Sequence, residues 1–465
     1  MIRKLLRRVF KRAASPTSTE PAVLGADQHG LSGRQISPAA RKVCTVLQEQ
    51  GHKAYVVGGA VRDLLAGQTP KDFDVATNAT PEQVQEVFRR CRLIGRRFRI
   101  AHVRFGGEII EVTTFRGGAS EEHEDSEHRQ MESGRIVRDN VFGTLEEDAL
   151  RRDFTVNALY YSIADFSVLD FADGLADLQA RQMQLIGDPE VRYREDPVRM
   201  LRAARLAAKL RFSIAPASLQ PIGKLAPLLD DIPPARLFDE SLKLFMGGHG
   251  RLSFEKLEEL DLLRHLFPGL AKISDDARQL IVSALESTDA RVAQDKPVTP
   301  AFLFAALLWP SFIKRMERYT DLAPEEWLEA ASSAAETVFS GTAKRVALPR
   351  RFSGVSKEIW LLQPRFAAMG VGRARRLLRH PRFRAAYDFL LLRAAVEPAL
   401  QAQADRWTKA QTVEGADFDR LFQPTRGAAA AEEPGSLDGD AEAPAKRRRR
   451  RRRRKPRAHA PSESE

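Results

Sequence analysis

Between Tyr55 and Thr77 the chain reads YVVGGAVRDLLAGQTPKDFDVAT, and this order of residue types constrains the fold more than any other stretch. Tyr55, Val56 and Val57 have the aromatic and β-branched character of a short buried strand. Gly58 and Gly59 break it; a glycine pair lets the backbone approach a ligand closely and take positive φ at little steric cost. Ala60 to Leu65 predicts a short helix whose free N–H groups would face an anion, most naturally a phosphate. In Lys71-Asp72-Phe73-Asp74-Val75 the strand period points Asp72 and Asp74 to one side and Phe73 and Val75 to the other. Two carboxylates on one face suit Mg²⁺, which keeps few protein ligands and takes the rest from water and phosphate. A phosphate cradle beside such a metal site is the apparatus of phosphoryl or nucleotidyl transfer. A lone glycine pair is commonly a turn, and a lone Asp-x-Asp a solvated strand end. Their occurrence together, with Arg62 and Lys71 between them, carries the signal.

Two further stretches point the same way. Gly106-Gly107 marks a hairpin within RRFRIAHVRFGGEIIEVTTFR, and on its second strand Glu111 shares a face with Thr113. Glu111 is a candidate for a third metal-coordinating carboxylate or for a base near an attacking hydroxyl. In EEDALRRDFTVNALYY, Arg151, Arg152 and Asp153 are placed to meet a triphosphate and ribose, with Asn157 one turn later on the same face. Asp153 is either a direct catalytic carboxylate or one that orients an arginine and the ribose. In REDPVRMLRAARLAAKLRF, Asp196 reads as an N-cap with Pro197 at the first helical position, and Arg199 and Arg202 lie one turn apart on one face.

The GG-x-VRD stretch followed by D-x-D, together with RRDFTxNAxxY, closely resembles the nucleotidyltransferase superfamily that includes DNA polymerase beta. More narrowly it resembles the class II branch, tRNA CCA-adding enzymes and bacterial poly(A) polymerases. The segment LIGRRFRIAHV (93–103) and the helical stretches PPARLFDESLKLF, AFLFAALLWP and LLRHPRFRAAYDFLLLRA resemble the poly(A) polymerase side of that branch. The resemblance spans residues 37 to about 425. It implies an α+β fold: a polymerase-beta-like nucleotidyltransferase head, a small mixed sheet with helices, then an all-helical RNA-binding neck and body. It implies two Mg²⁺ ions on Asp72 and Asp74, a triphosphate neutralised by Gly58, Gly59, Arg62, Arg151 and Arg152, and Asp63, Lys71 and Asn157 as further nucleotide-binding residues. The Asp196–Arg199 element, with Arg202 beside it, would read the incoming adenine.

Composition sets the partners. Lys446–Arg457 holds eleven basic residues and Ile2–Arg12 six, so removing both from the net charge of +12 leaves −5 for the rest. The basic excess sits on two tails, for which nucleic acid is the natural partner. Residues 1–36 are expected to be a disordered basic arm, with MIRKLLRRVFKR also readable as a transit peptide, and 426–465 a disordered tail bearing the arginine run Arg447–Arg454. Between them the expected units are a catalytic head (37–187), a neck for base recognition and RNA binding (188–250) and a helical body (251–425). Gly118–Gly134 reads as a mobile solvated loop despite His123 and His128. Arg373, Arg375, Arg376, Arg379, Arg382 and Arg384 read as a phosphate-contacting face. Cys44 and Cys91 supply neither a disulfide framework nor a metal cluster, and no apolar run approaches the ~18 residues needed to span a membrane; a cytoplasmic protein is expected.

The expected activity is template-independent addition of AMP from ATP to single-stranded RNA 3′ ends, with no membrane and no DNA as partner. The alternatives are a tRNA CCA-adding enzyme, a non-catalytic RNA-binding protein on the same fold, and a nucleotide hydrolase using the same metal site. The last lacks the adjacent His-Asp motif that commonly serves it.

Overall fold

The computed structural model describes residues 20–95, 99–117, 129–132, 135–139, 141–319 and 322–423. Helix starts follow local chemistry. Ser37 Oγ accepts from Ala40 N at 3.0 Å to open the helix Pro38–Glu49. Thr80 and Thr144 each exchange hydrogen bonds with the residue three positions on, Gln83 and Glu147, and so cap Pro81–Val87 and Leu145–Arg151.

The head is built on an eight-stranded mixed sheet. Its strands are β1 (Ala22–Leu24), β2 (Ala54–Val57), β3 (Asp74–Thr77), β4 (Cys91–Ile94), β5 (Ile100–Phe105) and β6 (Glu108–Thr114). A separate hairpin, β7 (Arg129–Glu132) and β8 (Arg135–Asp139), is followed by β9 (Leu159–Tyr161) and β10 (Val168–Asp170), which return to the main sheet. The sheet order is β1-β10-β9-β2-β3-β6-β5-β4, with β3 and β6 parallel and the other neighbours antiparallel. One face buries Val43, Leu47, Val56, Val61, Val75, Val103 and Val112 against the Pro38–Glu49 and Gly59–Leu65 helices. The opposite face carries a smaller cluster around Val57, Phe115 and Tyr160.

After Met183 the chain is helical apart from the short Ser213–Ile214 strand. The helices Pro189–Glu195, Val198–Leu210 and Pro234–Phe245 lie in the 188–250 stretch expected as the neck and share one core with the helices that follow, Gly250–Glu259 and those carrying Phe304, Trp309 and Trp360. A separate aromatic core, Phe366, Phe383, Trp407 and Phe422, closes the C-terminal end. Both cysteines are free, and among the described residues no helix is long and apolar enough to cross a membrane.

Three expectations change. The reading of residues up to 36 as disordered fails over 20–36: Ala22–Leu24 pairs antiparallel with β10, and Leu24, Leu31 and Ile36 are buried in the head core. Three strand residues are too few to show a period, and the edge they complete lies far away in sequence. The reading of 118–134 as a solvated loop fails for Arg129–Glu132, which pairs with Arg135–Asp139. Asp72 precedes the strand instead of lying within it and is exposed; β3 begins at Asp74. The two terminal tails, the arginine run, His123 and His128 lie outside the described residues.

Candidate active site

Where β3 and β6 run side by side, Asp74 pairs in register with Glu111. Burial, Glu111 and then Asp72 push the Asp74 carboxyl up from 3.8 to about 6, against the opposing pull of Arg152. His102, opposite Glu111 on β5, places Nε2 3.5 Å from its carboxylate. Asp74 and Glu111 thus bring two carboxylates together, with Arg152 as the opposing charge on Asp74.

These carboxylates form one wall of a cavity of about 350 Å³ between head and neck. It is lined by Val57, Asp74, Glu111, Thr113, Arg116, Asp148, Arg151, Arg152, Asp153, Arg192, Asp196, Arg199, Arg202 and Arg236, seven arginines against five carboxylates. That excess, in a site of restricted solvent, suits a polyanionic ligand.

Each arginine has a defined support. Arg152 donates from Nε to Tyr160 Oη at 2.8 Å and from Nη2 to Asp148 Oδ2 at 3.0 Å. Burial alone would ease its proton off; Tyr160 and Asp148 more than reverse this and hold the charge. Arg151 donates to the Gly117 carbonyl. Arg192 spans the seam, giving Nη2 to the carbonyls of Arg151 and Arg152 at 2.7 and 2.6 Å and Nη1 to Glu195 at 2.9 Å. Glu195 also takes Nη1 of Arg199 at 2.9 Å. Arg236 reaches from the Pro234–Phe245 helix to Asp196 Oδ2 at 2.5 Å, while Asp196 Oδ1 accepts from Val198 N at 3.2 Å; the helix starts at Val198 with Pro197 in the cap position, one residue later than the sequence suggested.

Asp153 is fully engaged. Its Oδ1 accepts from Phe154 N at 2.8 Å and Asn157 Nδ2 at 3.1 Å, and its Oδ2 accepts from Arg202 Nε at 2.8 Å and from Nη2. Burial would raise this carboxyl, but Arg202 and these hydrogen bonds hold it well below the usual carboxylate range. Of its two sequence-level roles the geometry favours orienting an arginine, and it is Glu111 that faces Asp74.

Other expected residues stand back from the cavity. Gly58 adopts φ 78° and ψ −130°, which favours glycine, but its N–H is spent on Leu159 O at 3.1 Å. Neither it nor Gly59 lines the cavity; Val57 does. Arg62 is buried, with Nη1 on Asn157 Oδ1 at 2.5 Å and Nε on Asp63 Oδ1 at 2.8 Å, so it braces the motif from behind. Lys71 is exposed at the rim, and its charge bears on His249 of the neck. Sequence reasoning passed over Arg116, Asp148, Arg192 and Arg236. Asp148 precedes Arg152 by one helical turn and was legible on that ground. Arg236 had no local signal.

Residues 54–184 match the Poly A polymerase head domain, 211–273 a probable RNA and SrmB-binding site of polymerase A, and 323–455 the polymerase A arginine-rich C-terminus. Poly(A) polymerase I of Salmonella typhimurium is 46% identical over 422 residues, covering 87% of this chain and 90% of that protein. The chain belongs to the bacterial poly(A) polymerase family. A CCA-adding enzyme of Levilactobacillus brevis is 39% identical over 208 residues, only 45% of this chain and 50% of that one. The poly(A) polymerase likeness thus runs through the helical body, whereas this CCA-adding likeness covers under half of the chain. A solved tRNA-processing enzyme in its apo form superposes with a TM-score of 0.56 at 22% identity, over 83% of this chain and 94% of its own, a likeness of fold.

Proposed function

We propose that this protein is a template-independent poly(A) polymerase that adds AMP from ATP to single-stranded RNA 3′ ends. The observation that carries the reading is the cavity itself, where the Asp74–Glu111 carboxylates of the head face the arginines of the neck. The RNA 3′-oxygen forms a bond to the α-phosphorus of ATP, the bond from that phosphorus to the bridging oxygen breaks, and diphosphate leaves. Glu111, half-exposed on β6 beside Asp74, is placed to take the hydroxyl proton. Arg151, Arg152 and Arg202 offset the triphosphate charge, and their supports keep them aimed before the substrate arrives. Asp196 accepts from the exocyclic amine of adenine, and Arg199 donates to its ring nitrogen.

Asp74 and Asp72, with Glu111 alongside, would hold Mg²⁺. The fit rests on a largely buried carboxylate, raised by burial and then by Glu111 and Asp72, whose charge a divalent cation would stabilise. Among the described residues no group of three or more His, Cys, Asp or Glu side chains forms a closed metal cluster, and an open site completed by water and phosphate is what Mg²⁺ uses. When bound, the ion would stabilise charge on the entering and leaving oxygens.

Within this reading residues 37–187, joined by the 20–36 segment, act as the catalytic head, 188–250 as the neck and 251–425 as an RNA-holding body, in a cytoplasmic enzyme. The arginine face of the body is partly committed, since Arg375, Arg382 and Arg384 pair with Asp419, Glu358 and Asp388. The test is to incubate the protein with a short unstructured RNA and each nucleoside triphosphate separately. A long ladder with ATP alone is expected. A need for CTP, with growth stopping after three nucleotides on tRNA-like RNA, would establish the CCA-adding alternative instead.

A further inference from the structure

The neck helix Val198–Leu210 shares an apolar core with the head and is tied to it by two ion pairs, which are joined through the head's interior. At its C-terminal end Lys209 Nζ donates to Asp63 Oδ2 at 3.0 Å. Asp63 Oδ1 accepts from Arg62 Nε and Nη2 at 2.8 and 2.6 Å, and Arg62 Nη1 donates to Asn157 Oδ1 at 2.5 Å. Asn157 Nδ2 donates to Asp153 Oδ1 at 3.1 Å, and Asp153 Oδ2 receives Arg202, two turns back on the same helix. The circuit closes on the helix where it began. Arg62, Asp63 and Asn157 are buried, whereas the Lys209 side chain is 34% exposed.

Each bond constrains the next. Asn157 presents its carbonyl oxygen to Arg62 and its amide nitrogen to Asp153, so its orientation is set from both sides. Arg62 is held by Asp63 from one flank, and Asp63 has its second oxygen on Lys209. Were Lys209 lost, a buried carboxylate would keep one cation of two, and the head would hold this helix by Arg202 alone among the circuit's links. Arg199 and Arg202, which line the cavity, ride on that helix.

We propose that Lys209 is a positioning residue for nucleotide addition, acting through Asp63, Arg62, Asn157 and Asp153 to set Arg202 and its helix against the Asp74–Glu111 carboxylates. It touches no substrate: it lies at the opposite end of the circuit from Arg202 and does not line the cavity. Removing a purely peripheral surface charge would leave turnover alone. Loss of a positioning link costs rate, because a displacement of ~1 Å in a catalytic constellation lowers turnover by up to about 100-fold.

The inference rests on the poly(A) polymerase reading, and one assay separates the two. AMP incorporation by the full-length wild-type chain tests the function; no incorporation would sink that reading. Given wild-type activity, Lys209→Gln is expected to lower kcat on the order of tenfold, with KM for RNA unchanged and far-UV circular dichroism intact. Lys209→Arg, which can reach Asp63, is expected to restore most of the loss. In an Asn157→Ala background, where the circuit is already open, Lys209→Gln should cost little more. Wild-type kcat in Lys209→Gln overturns the proposal, and so does a full multiplicative loss in the double variant. If Lys209→Gln fails to fold, the same comparison is made with Asp63→Asn, which keeps the shape and weakens the pair; wild-type kcat there overturns it equally.

Discussion

Asp74 and Glu111 occupy paired positions on parallel neighbouring strands, so two carboxylates separated in sequence by the Pro81–Val87 helix and strands β4 and β5 stand side by side. The arrangement is costly without a cation, and that cost can be measured. In chelator, Asp74→Asn should remove the repulsion. The Asp74 carboxyl is raised from 3.8 to about 6, so the folded state binds its proton more tightly than the unfolded chain does. The stability this contributes is complete below 3.8 and is lost as pH rises through 6. Urea denaturation should therefore find the variant more stable than wild type at pH 7.5 by roughly 2 kcal/mol and equal to it near pH 3.5. The same variant should have no nucleotide-adding activity.

His249 gives a stability profile of the opposite sign. Burial first, then Arg205, Lys209 and Lys71, lower its imidazole from 6.5 to about 4, against a raising contribution from the Gly247 carbonyl. A depressed histidine contributes stability that is present above 6.5 and lost as pH falls through 4. Wild type should lose about 1–2 kcal/mol to this group over that window, discounted for partial exposure. His249→Gln should flatten the curve, and unchanged pH dependence in urea midpoints would contradict the assignment.

The Arg236–Asp196 pair bears on base choice. A carboxylate tied at one oxygen to Arg236 and at the other to Val198 N has little freedom to re-aim for a different base. Arg236→Gln should lower the preference for ATP over CTP on the order of tenfold, since mispairing at a hydrogen-bonding site is what sets such discrimination. Single-nucleotide kcat/KM values for both triphosphates decide it.

Lys446 to Lys455 is a block of ten consecutive cations, and the body apart from both basic tails carries −5. Deleting 426–465 should weaken RNA binding most at low salt. Each phosphate neutralised on a single strand adds about 0.7 to the salt slope, so losing four contacts should flatten it by roughly 3. Turnover at saturating RNA should persist, because the described residues that line the cavity all lie between 57 and 236. Unchanged affinity and slope would leave the run as a solubility element.

Much of the head was legible because its signals are local. The Ser37-Pro38 and Thr80-Pro81 helix starts, the glycine break after β2 and the Gly106-Gly107 hairpin depend on neighbours a few residues away, and each stands where the sequence placed it. The Asp72–Asp74 face was read less well, since alternation holds only where the backbone is extended and β3 starts at Asp74. The 20–36 segment was missed for a related reason: a three-residue edge strand is defined by the partner it completes, not by its own pattern.

By itself the sequence determined which chemistry the chain could carry: acidic residues beside a glycine break, arginine-rich motifs at helix ends, and a charge balance pushed onto the tails. Only the tertiary structure decided how those groups are used. Asp153 meets Arg202 across 49 residues, Asp196 meets Arg236 across 40, and Asp63 meets Lys209 across 146. Those pairings turn Asp153 into a brace and, with Asn157, hold Arg62 back from the cleft, while the β3–β6 register brings Glu111 up to Asp74. The physical reason is that a side chain's role depends on which partner satisfies its charge once buried, and that partner is chosen by strand register and helix packing, which no local period records.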